Sequence, residues 1–243
     1  MRIDIWSDIA CPWCYIGKRR LEEALDGFEH RDEVEVVWRS YELAPGAPVP
    51  PTEKTSTYLA AKYGGTPDQI AAMTAQVAET AQGEGLDYRL DETMHVATRD
   101  AHRLLHLALE TGGSQLQGAL KERLLHDYFV RACDVSDHAV LRAAATDAGL
   151  PEHEVARVLT SDAFEDEVSA DIRQARAYGA GGVPFFVLDG RYGISGAQPA
   201  EVFSDALRRA WDGAHPRLTT LGGTGSADDA AVCGPDGCEV PSR

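Results

Sequence analysis

The sequence predicts an α/β fold. A small sheet is assembled from the two ends of the chain, interrupted by a large all-helical insertion and followed by a flexible C-terminal tail. Three observations predict it. Strand patterning is confined to residues 2–7, 33–39 and 182–195. Residues 55–178 between them are overwhelmingly helical in pattern. After Pro216 the composition shifts to Gly, Ala, Ser, Thr and Asp, which reads as a mobile tail.

Each element has its own signal. Ile3, Ile5 and Trp6 make a buried strand of residues 2–7, and residues 11–28 follow as a helix. Glu33 to Arg39 alternates polar with apolar and reads as a second strand. Strand–helix–strand order predicts a parallel pair with a right-handed crossover. Ala44-Pro45-Gly46-Ala47-Pro48-Val49-Pro50-Pro51 breaks all regularity and marks a linker. A short helix fits Thr55–Tyr63, and Thr66 followed by Pro67 is an N-cap signature opening a helix to about Glu84. Two helices are expected over Thr93–Thr111 and Ser114–Ala132, the first with Val96, Leu104, Leu107 and Ala108 on one face. Further helices start at Ser136-Asp137 and Leu150-Pro151, and the last of the series runs to Tyr178. Strand character returns over residues 182–190, Asp189-Gly190 is a hairpin turn signal, and Pro199–Trp211 fits a final helix. The organisation reads as a discontinuous domain of residues 1–50 and 179–215, a helical insertion of 51–178 and a tail of 216–243.

A net charge of −16 over 243 residues argues against nucleic acid and against anionic membranes, and serves solubility. No stretch approaches the ~20 continuous apolar residues of a membrane span. The strand beginning at Arg2 leaves no room for a basic and apolar leader, so a cytoplasmic protein is expected.

The five cysteines fall as Cys11 and Cys14, Cys133 alone, then Cys233 and Cys238. Two close pairs and a singleton suit redox or metal chemistry better than structural stapling in a cytosolic chain. Cys11-Pro12-Trp13-Cys14 lies after a strand and at the start of a helix, where unpaired backbone N–H groups and partial positive charge favour thiolate. Cys11, at the more exposed helix start, is expected to carry the depressed pKa and attack; Cys14, one turn in, would resolve the mixed disulfide. Trp13 lines the substrate surface or covers the disulfide. The competing reading is zinc held by Cys11, Cys14, Cys233 and Cys238; strand-to-helix context favours redox, with no metal. Turn chemistry in Gly234-Pro235-Asp236-Gly237 can bring Cys233 and Cys238 into bonding range. A structural bridge has little to stabilise in such a tail, so a second redox pair is the better fit.

The two β-rich ends together make a thioredoxin-type sheet. The chain resembles the DsbA family of thioredoxin-fold proteins, within its FrnE-like branch. The resemblance is carried by Ser7-Asp8-Ile9-Ala10-Cys11-Pro12-Trp13-Cys14-Tyr15-Ile16-Gly17, Trp38-Arg39-Ser40-Tyr41-Glu42-Leu43-Ala44-Pro45, Ala101-His102-Arg103-Leu104, Gly182-Val183-Pro184-Phe185-Phe186-Val187 and Ile194-Ser195-Gly196-Ala197-Gln198. It implies a thioredoxin fold with a helical insertion, redox-active Cys11 and Cys14, and a cis Val183–Pro184 bond facing them. Pro12, Trp13, Val183 and Pro184 would then contact substrate, the Val183 backbone pairing with a bound peptide strand. The branch includes proteins named from polyketide antibiotic clusters and others linked to oxidative stress, so either setting is implied. The same superfamily holds 2-hydroxychromene-2-carboxylate isomerases and kappa-class glutathione transferases, which typically place serine where this chain has Cys11.

His102 and His106 are one turn apart, a metal-ligand spacing, but no zincin motif is completed and surface or packing roles are expected. Lys18 is read as solvated and Cys133 as a buried small hydrophobe. The leading function is a cytoplasmic thiol–disulfide oxidoreductase or isomerase acting on protein or small-molecule disulfides, without a resident cofactor and with glutathione as a possible co-substrate. A glutathione-dependent isomerase or transferase is the alternative from another class. A third is a peptide-binding, chaperone-like module.

Overall fold

A computed structural model describes residues 1–216 and, by backbone alone, the short strands β5 (Cys233–Gly234) and β6 (Gly237–Cys238) introduced below. The central strand is β1 (Arg2–Ser7), parallel to β2 (Glu35–Ser40) with Ile3 opposite Val36 and Ile5 opposite Trp38. β3 (Phe185–Leu188) runs antiparallel on its other side, Phe186 opposite Ile5, and β4 (Tyr192–Ser195) completes the order β2-β1-β3-β4. Strand β2 starts at Glu35 because Arg31–Glu33 is a 3₁₀ turn. The predicted hairpin forms with both turn residues left-handed, Asp189 at φ 48° and Gly190 at φ 66°. The Asp189 carboxylate accepts from Arg2 N at 2.7 Å, tying the turn to the start of β1.

Alternation along β1 supplies two faces. Ile3 and Ile5 pack with Phe186 and Ile194 under α1 (Pro12–Asp26) and α8 (Ala200–Ala214), through Leu21, Ala24, Phe203 and Leu207. Trp6 turns to the opposite face with Val187, Ala175 and Ala180. There it meets α7 (Glu165–Ala177), donating from Nε1 to the Asp171 carbonyl at 2.7 Å.

Between β2 and α7 come α2 (Thr55–Tyr63), α3 (Pro67–Gly83), α4 (Arg99–Phe129), α5 (His138–Ala148) and α6 (Glu152–Leu159). Thr66 caps α3 with a full capping box through Gln69, and Asp137 caps α5 by accepting from Ala139 N. The helix expected from Thr93 starts only at Arg99. Residues 93–95 instead run beside the segment entering α2, with Thr55 N donating to the Thr93 carbonyl at 3.0 Å and His95 N to that of Glu53. The expected division at residues 112–113 is a kink within α4, where Gly113 has φ 67° and ψ −165°. The helices share one core, which also takes in Ile9, Tyr15 and Ile16, so α1 is wedged between the sheet core and the helical core. No helix among the described residues is long and apolar enough to cross a membrane.

Candidate active site

β1 ends at Ser7, and the chain turns through Asp8, Ile9 and Ala10 into the first turn of α1. Cys11 is the N-cap residue, extended at φ −99° and ψ 111°, with Pro12 inside the first turn and Cys14 N donating to the Cys11 carbonyl at 3.0 Å. No acidic side chain occupies that turn, and the nearest carboxylate acting on Cys11 is Asp8 in the turn before it. Both cysteines are free and buried, Cys11 at 3 % exposure and Cys14 at 1 %. The expected difference in exposure between them is therefore absent. Trp13, 40 % exposed, covers this end of the helix, and Tyr88 donates its hydroxyl to the Pro12 carbonyl at 2.8 Å.

The structure brings the second sequence block to the first. Cys11 Sγ donates to the Val183 carbonyl at 3.4 Å, the Val183–Pro184 peptide is cis, and the Pro184 carbonyl accepts from Gly196 N at 2.8 Å. Gly17 permits this approach: a Cβ there would lie 3.1 Å from Pro184 Cγ and 3.2 Å from Phe186 Cζ. Of the four residues expected to contact substrate, Pro184 is buried, Pro12 and Val183 are half-buried, and Trp13 presents the most side-chain surface.

The thiol electrostatics differ from the sequence expectation. Cys11 is raised well above an ordinary thiol, first by its hydrogen bond to Cys14 and then by burial. Burial also pushes Cys14 up, but the hydrogen bond from Cys11, the Lys121 charge and Ser7 outweigh it and leave Cys14 below the ordinary thiol value. The two thiols titrate as a coupled pair, so the lowered step expected of Cys11 alone belongs to the pair, with Cys11 pushed up and Cys14 pushed down. Asp8 is buried at 1 % exposure, its two oxygens accepting from Ala10 N at 3.4 Å and Leu43 N at 2.7 Å. Burial raises Asp8, and the hydrogen bond and charge of His102, 3.4 Å away, outweigh it, so its carboxyl stays below the usual range.

His102 and His106 are both buried. His106 Nε2 lies 3.1 Å from Asp171 Oδ2 and 3.1 Å from Ser40 Oγ, so the pair serves packing and hydrogen bonding, not the helix surface. Among the described residues no group of three or more His, Cys, Asp or Glu side chains is placed to hold a metal. Two other expectations are corrected. Lys18 is 7 % exposed, not solvated: its ammonium pairs with Glu22 at 2.5 Å and Glu122 at 2.6 Å, and the charges compensate burial. Cys133 is half-buried, not a core residue. Cys233 and Cys238 are register partners across β5 and β6, and their side chains lie outside the described residues, as does residue 217 to 232 of the tail.

One residue that acts on the thiols has a signal in the sequence. Lys121 is fully buried, 107 residues from Cys14 in sequence, and its charge acts on Cys14. Gln117, Leu124, Leu125 and Tyr128 lie three, four or seven residues away on the buried face of α4, so a lysine stood in an apolar stripe.

A family model for the DSBA-like thioredoxin domain matches residues 2–208. The chain belongs to the DsbA-like thioredoxin family. It is similar over all of both chains to a probable DsbA oxidoreductase from Streptomyces coelicolor, at 48 % identity and a TM-score of 0.83. The fold alone is shared with two more distant structures. A 2-hydroxychromene-2-carboxylate isomerase is 12 % identical, with a TM-score of 0.65 over 90 % of this chain and 100 % of that one. The cytosolic disulfide reductase DsbM from Pseudomonas aeruginosa, solved with GSH, is 16 % identical, with a TM-score of 0.60 over 87 % of this chain and 99 % of that one. The DsbA-like assignment accounts for the α/β fold and for a site built around a buried dithiol.

Proposed function

We propose that this DsbA-like protein is a thiol–disulfide oxidoreductase working through Cys11 and Cys14, of the FrnE-like branch and acting in the cytoplasm. The observation that carries the reading is the convergence of two free thiols at a helix N-terminus with the Val183 carbonyl, 3.4 Å from Cys11 Sγ. Cys11 is the nucleophile, since its sulfur faces the Val183–Pro184 edge where a substrate backbone can pair. As a substrate disulfide approaches, the shared proton passes from Cys11 to Cys14. Cys11 Sγ then attacks one substrate sulfur, a mixed disulfide forms and the other sulfur leaves as thiolate. Cys14 gives its proton to the departing substrate thiolate, attacks Cys11 Sγ, releases the second substrate sulfur and closes the Cys11–Cys14 disulfide. Reduction by glutathione returns the dithiol; the reverse sequence oxidises substrate thiols, and attack of a second substrate thiol on the mixed disulfide isomerises substrates. Cys233 and Cys238 serve as a second, tethered redox pair.

Insulin reduction with glutathione, using wild type, Cys11→Ser and Cys14→Ser, tests the assignment. Cys11→Ser is expected to lose turnover by at least about a hundredfold, as for removal of a nucleophile. Cys14→Ser is expected to accumulate mixed disulfide without turning over. Full glutathione-dependent activity in Cys14→Ser would move the reading to an isomerase or transferase, which needs one thiol. Aggregation suppression that survives loss of both cysteines, with no disulfide exchange in wild type, would leave only a peptide-binding module.

A further inference from the structure

Lys121 stands out among the buried polar side chains. It is at 0 % exposure, in the middle of α4, with no hydrogen-bond partner for its Nζ. Its ammonium lies 5.4 Å from the Trp38 ring centroid, on the side of β2 where Gln117, one turn earlier, grips the Trp38 backbone through N at 2.8 Å and O at 2.9 Å. A buried ammonium with an aromatic face but no hydrogen-bond partner is unfavourable for folding, and a methionine of similar shape would fill the site at less cost. The next residue, Glu122, holds Tyr15 and Lys18 of α1, so Lys121 sits where α4 packs on the helix that begins at the two cysteines.

We propose that Lys121 is the proton store of the redox site, protonated when Cys11 and Cys14 are reduced and neutral when they are joined. The inference deepens the oxidoreductase reading and rests on it. The groups facing Lys121 are Cys14 and Cys11 at the start of α1, Asp8 in the preceding turn, and Lys18 further along α1. Asp8 is already engaged by His102, Ala10 N and Leu43 N, while His106 is turned toward Asp171 and Ser40. That leaves Cys14 as the group whose charge changes with redox state. Burial pulls the lysine down to about 8 in the dithiol form, with the charge of Cys14 opposing the fall most strongly. Joining Cys14 to Cys11 removes that charge, and the lysine falls further.

The bookkeeping closes. In reduction two glutathione thiols supply two electrons and two protons and leave as their disulfide. The Cys11–Cys14 bond breaks, one proton goes to Cys11 Sγ, and the second goes to Lys121 Nζ while Cys14 stays a thiolate. In oxidation the substrate disulfide breaks and Cys14 Sγ bonds to Cys11 Sγ, while the two substrate sulfurs leave as thiols, one with the Cys11 proton and the other with the proton released by Lys121. Lys121 is a positioning residue in this scheme: it acts through the charge of Cys14 and does not touch substrate.

Two measurements test it. In Lys121→Met the first thiolate titration of the reduced protein, followed by ultraviolet absorbance, is expected to rise by about one pH unit. The equilibrium constant for reduction by glutathione should fall about tenfold, since the variant no longer stabilises the reduced form. In Cys14→Ser the same lysine substitution should move the Cys11 titration by less than it moves the wild-type one, because Cys11 acts on the lysine more weakly than Cys14 does. The second measurement needs no variant. The chain has four lysines, Lys18, Lys54, Lys62 and Lys121, so ¹³Cε labelling resolves them. The Lys121 signal is expected to titrate at lower pH in the oxidised protein than in the reduced protein. Identical lysine titrations in the two states, or a folded Lys121→Met with wild-type thiolate titration and glutathione equilibrium, overturns the proposal. Wild type that fails to exchange with glutathione at all would instead sink the oxidoreductase reading.

Discussion

At the scale of single residues, Glu122 is the point where α4 holds the active-site helix. Its carboxylate accepts the Tyr15 hydroxyl at 2.5 Å, pairs with Lys18 at 2.6 Å and takes the Arg19 guanidinium as well. Burial raises the Glu122 carboxyl, but Arg19 and Lys18 outweigh it and hold it at about 2. A folded-state value below the unfolded one of ~4.3 stabilises the protein above that pH, and the contribution disappears as pH falls through about 2. Glu122→Gln is therefore expected to melt lower at neutral pH, by about 1 kcal/mol once solvent screening at a third-exposed site is allowed for. The gap to wild type should close as the pH is lowered toward 2. Denaturant titrations of both proteins across that range check it; a constant gap at all pH would place the effect in packing instead of charge.

At the scale of elements, the site depends on how closely α1 approaches β3 and the loop before it. Gly17 sets that distance, with Pro184 and Phe186 near van der Waals contact with its Cα face. Gly17→Ala adds a methyl where the nearest atoms belong to a proline ring and a fully buried phenylalanine, neither of which can swing away. The expected cost is about 1–2 kcal/mol, at the lower end of overpacking. The Val183 carbonyl would move relative to Cys11 Sγ, so glutathione exchange should slow more than the loss of stability explains. Stopped-flow exchange rates beside a urea melt measure both, and an unchanged rate with lowered stability would show that the 3.4 Å contact is tolerant of displacement.

At the scale of the whole molecule, the described fold closes with α8. Phe203, Leu207 and Ala210 complete the sheet core, and Trp211 stacks on His30 with ring centroids 4.0 Å apart. Truncation after Pro216 removes none of these contacts, so the shortened protein is expected to melt within a few degrees of the full chain. If Cys233 and Cys238 exchange with the main pair, truncation should nonetheless slow turnover. A tether of about twenty residues rich in Gly, Ala, Ser and Thr would hold thiols near millimolar effective concentration. In the full-length Cys14→Ser variant, non-reducing peptide mapping should then recover Cys11 bonded to Cys233 or Cys238. Silent truncation with no such species would remove the tail from the redox cycle.

Local chemistry was legible in the sequence wherever neighbours along the chain decide it. Alternation marked β1 and β2, Thr66-Pro67 and Asp137 marked helix starts, Asp189-Gly190 marked the hairpin, and Cys11 to Cys14 marked the head of α1. These signals rest on backbone sterics and on unpaired N–H groups, which act over a few residues. The DsbA-like family was legible for the same reason, since its blocks are short runs. Contacts between distant segments were decided only by tertiary structure. Val183 meets Cys11 across 172 residues, the charge of Lys121 acts on Cys14 from another helix, Lys18 is buried because Glu122 on another helix neutralises it, and residues 93–95 run beside the start of α2 instead of forming helix. The coupled titration of Cys11 and Cys14 belongs with these. The helix N-terminus favours a thiolate there, but which sulfur carries it depends on burial and on a lysine supplied by the helical insertion. Fields and desolvation act through space, and a linear pattern does not record distance through space.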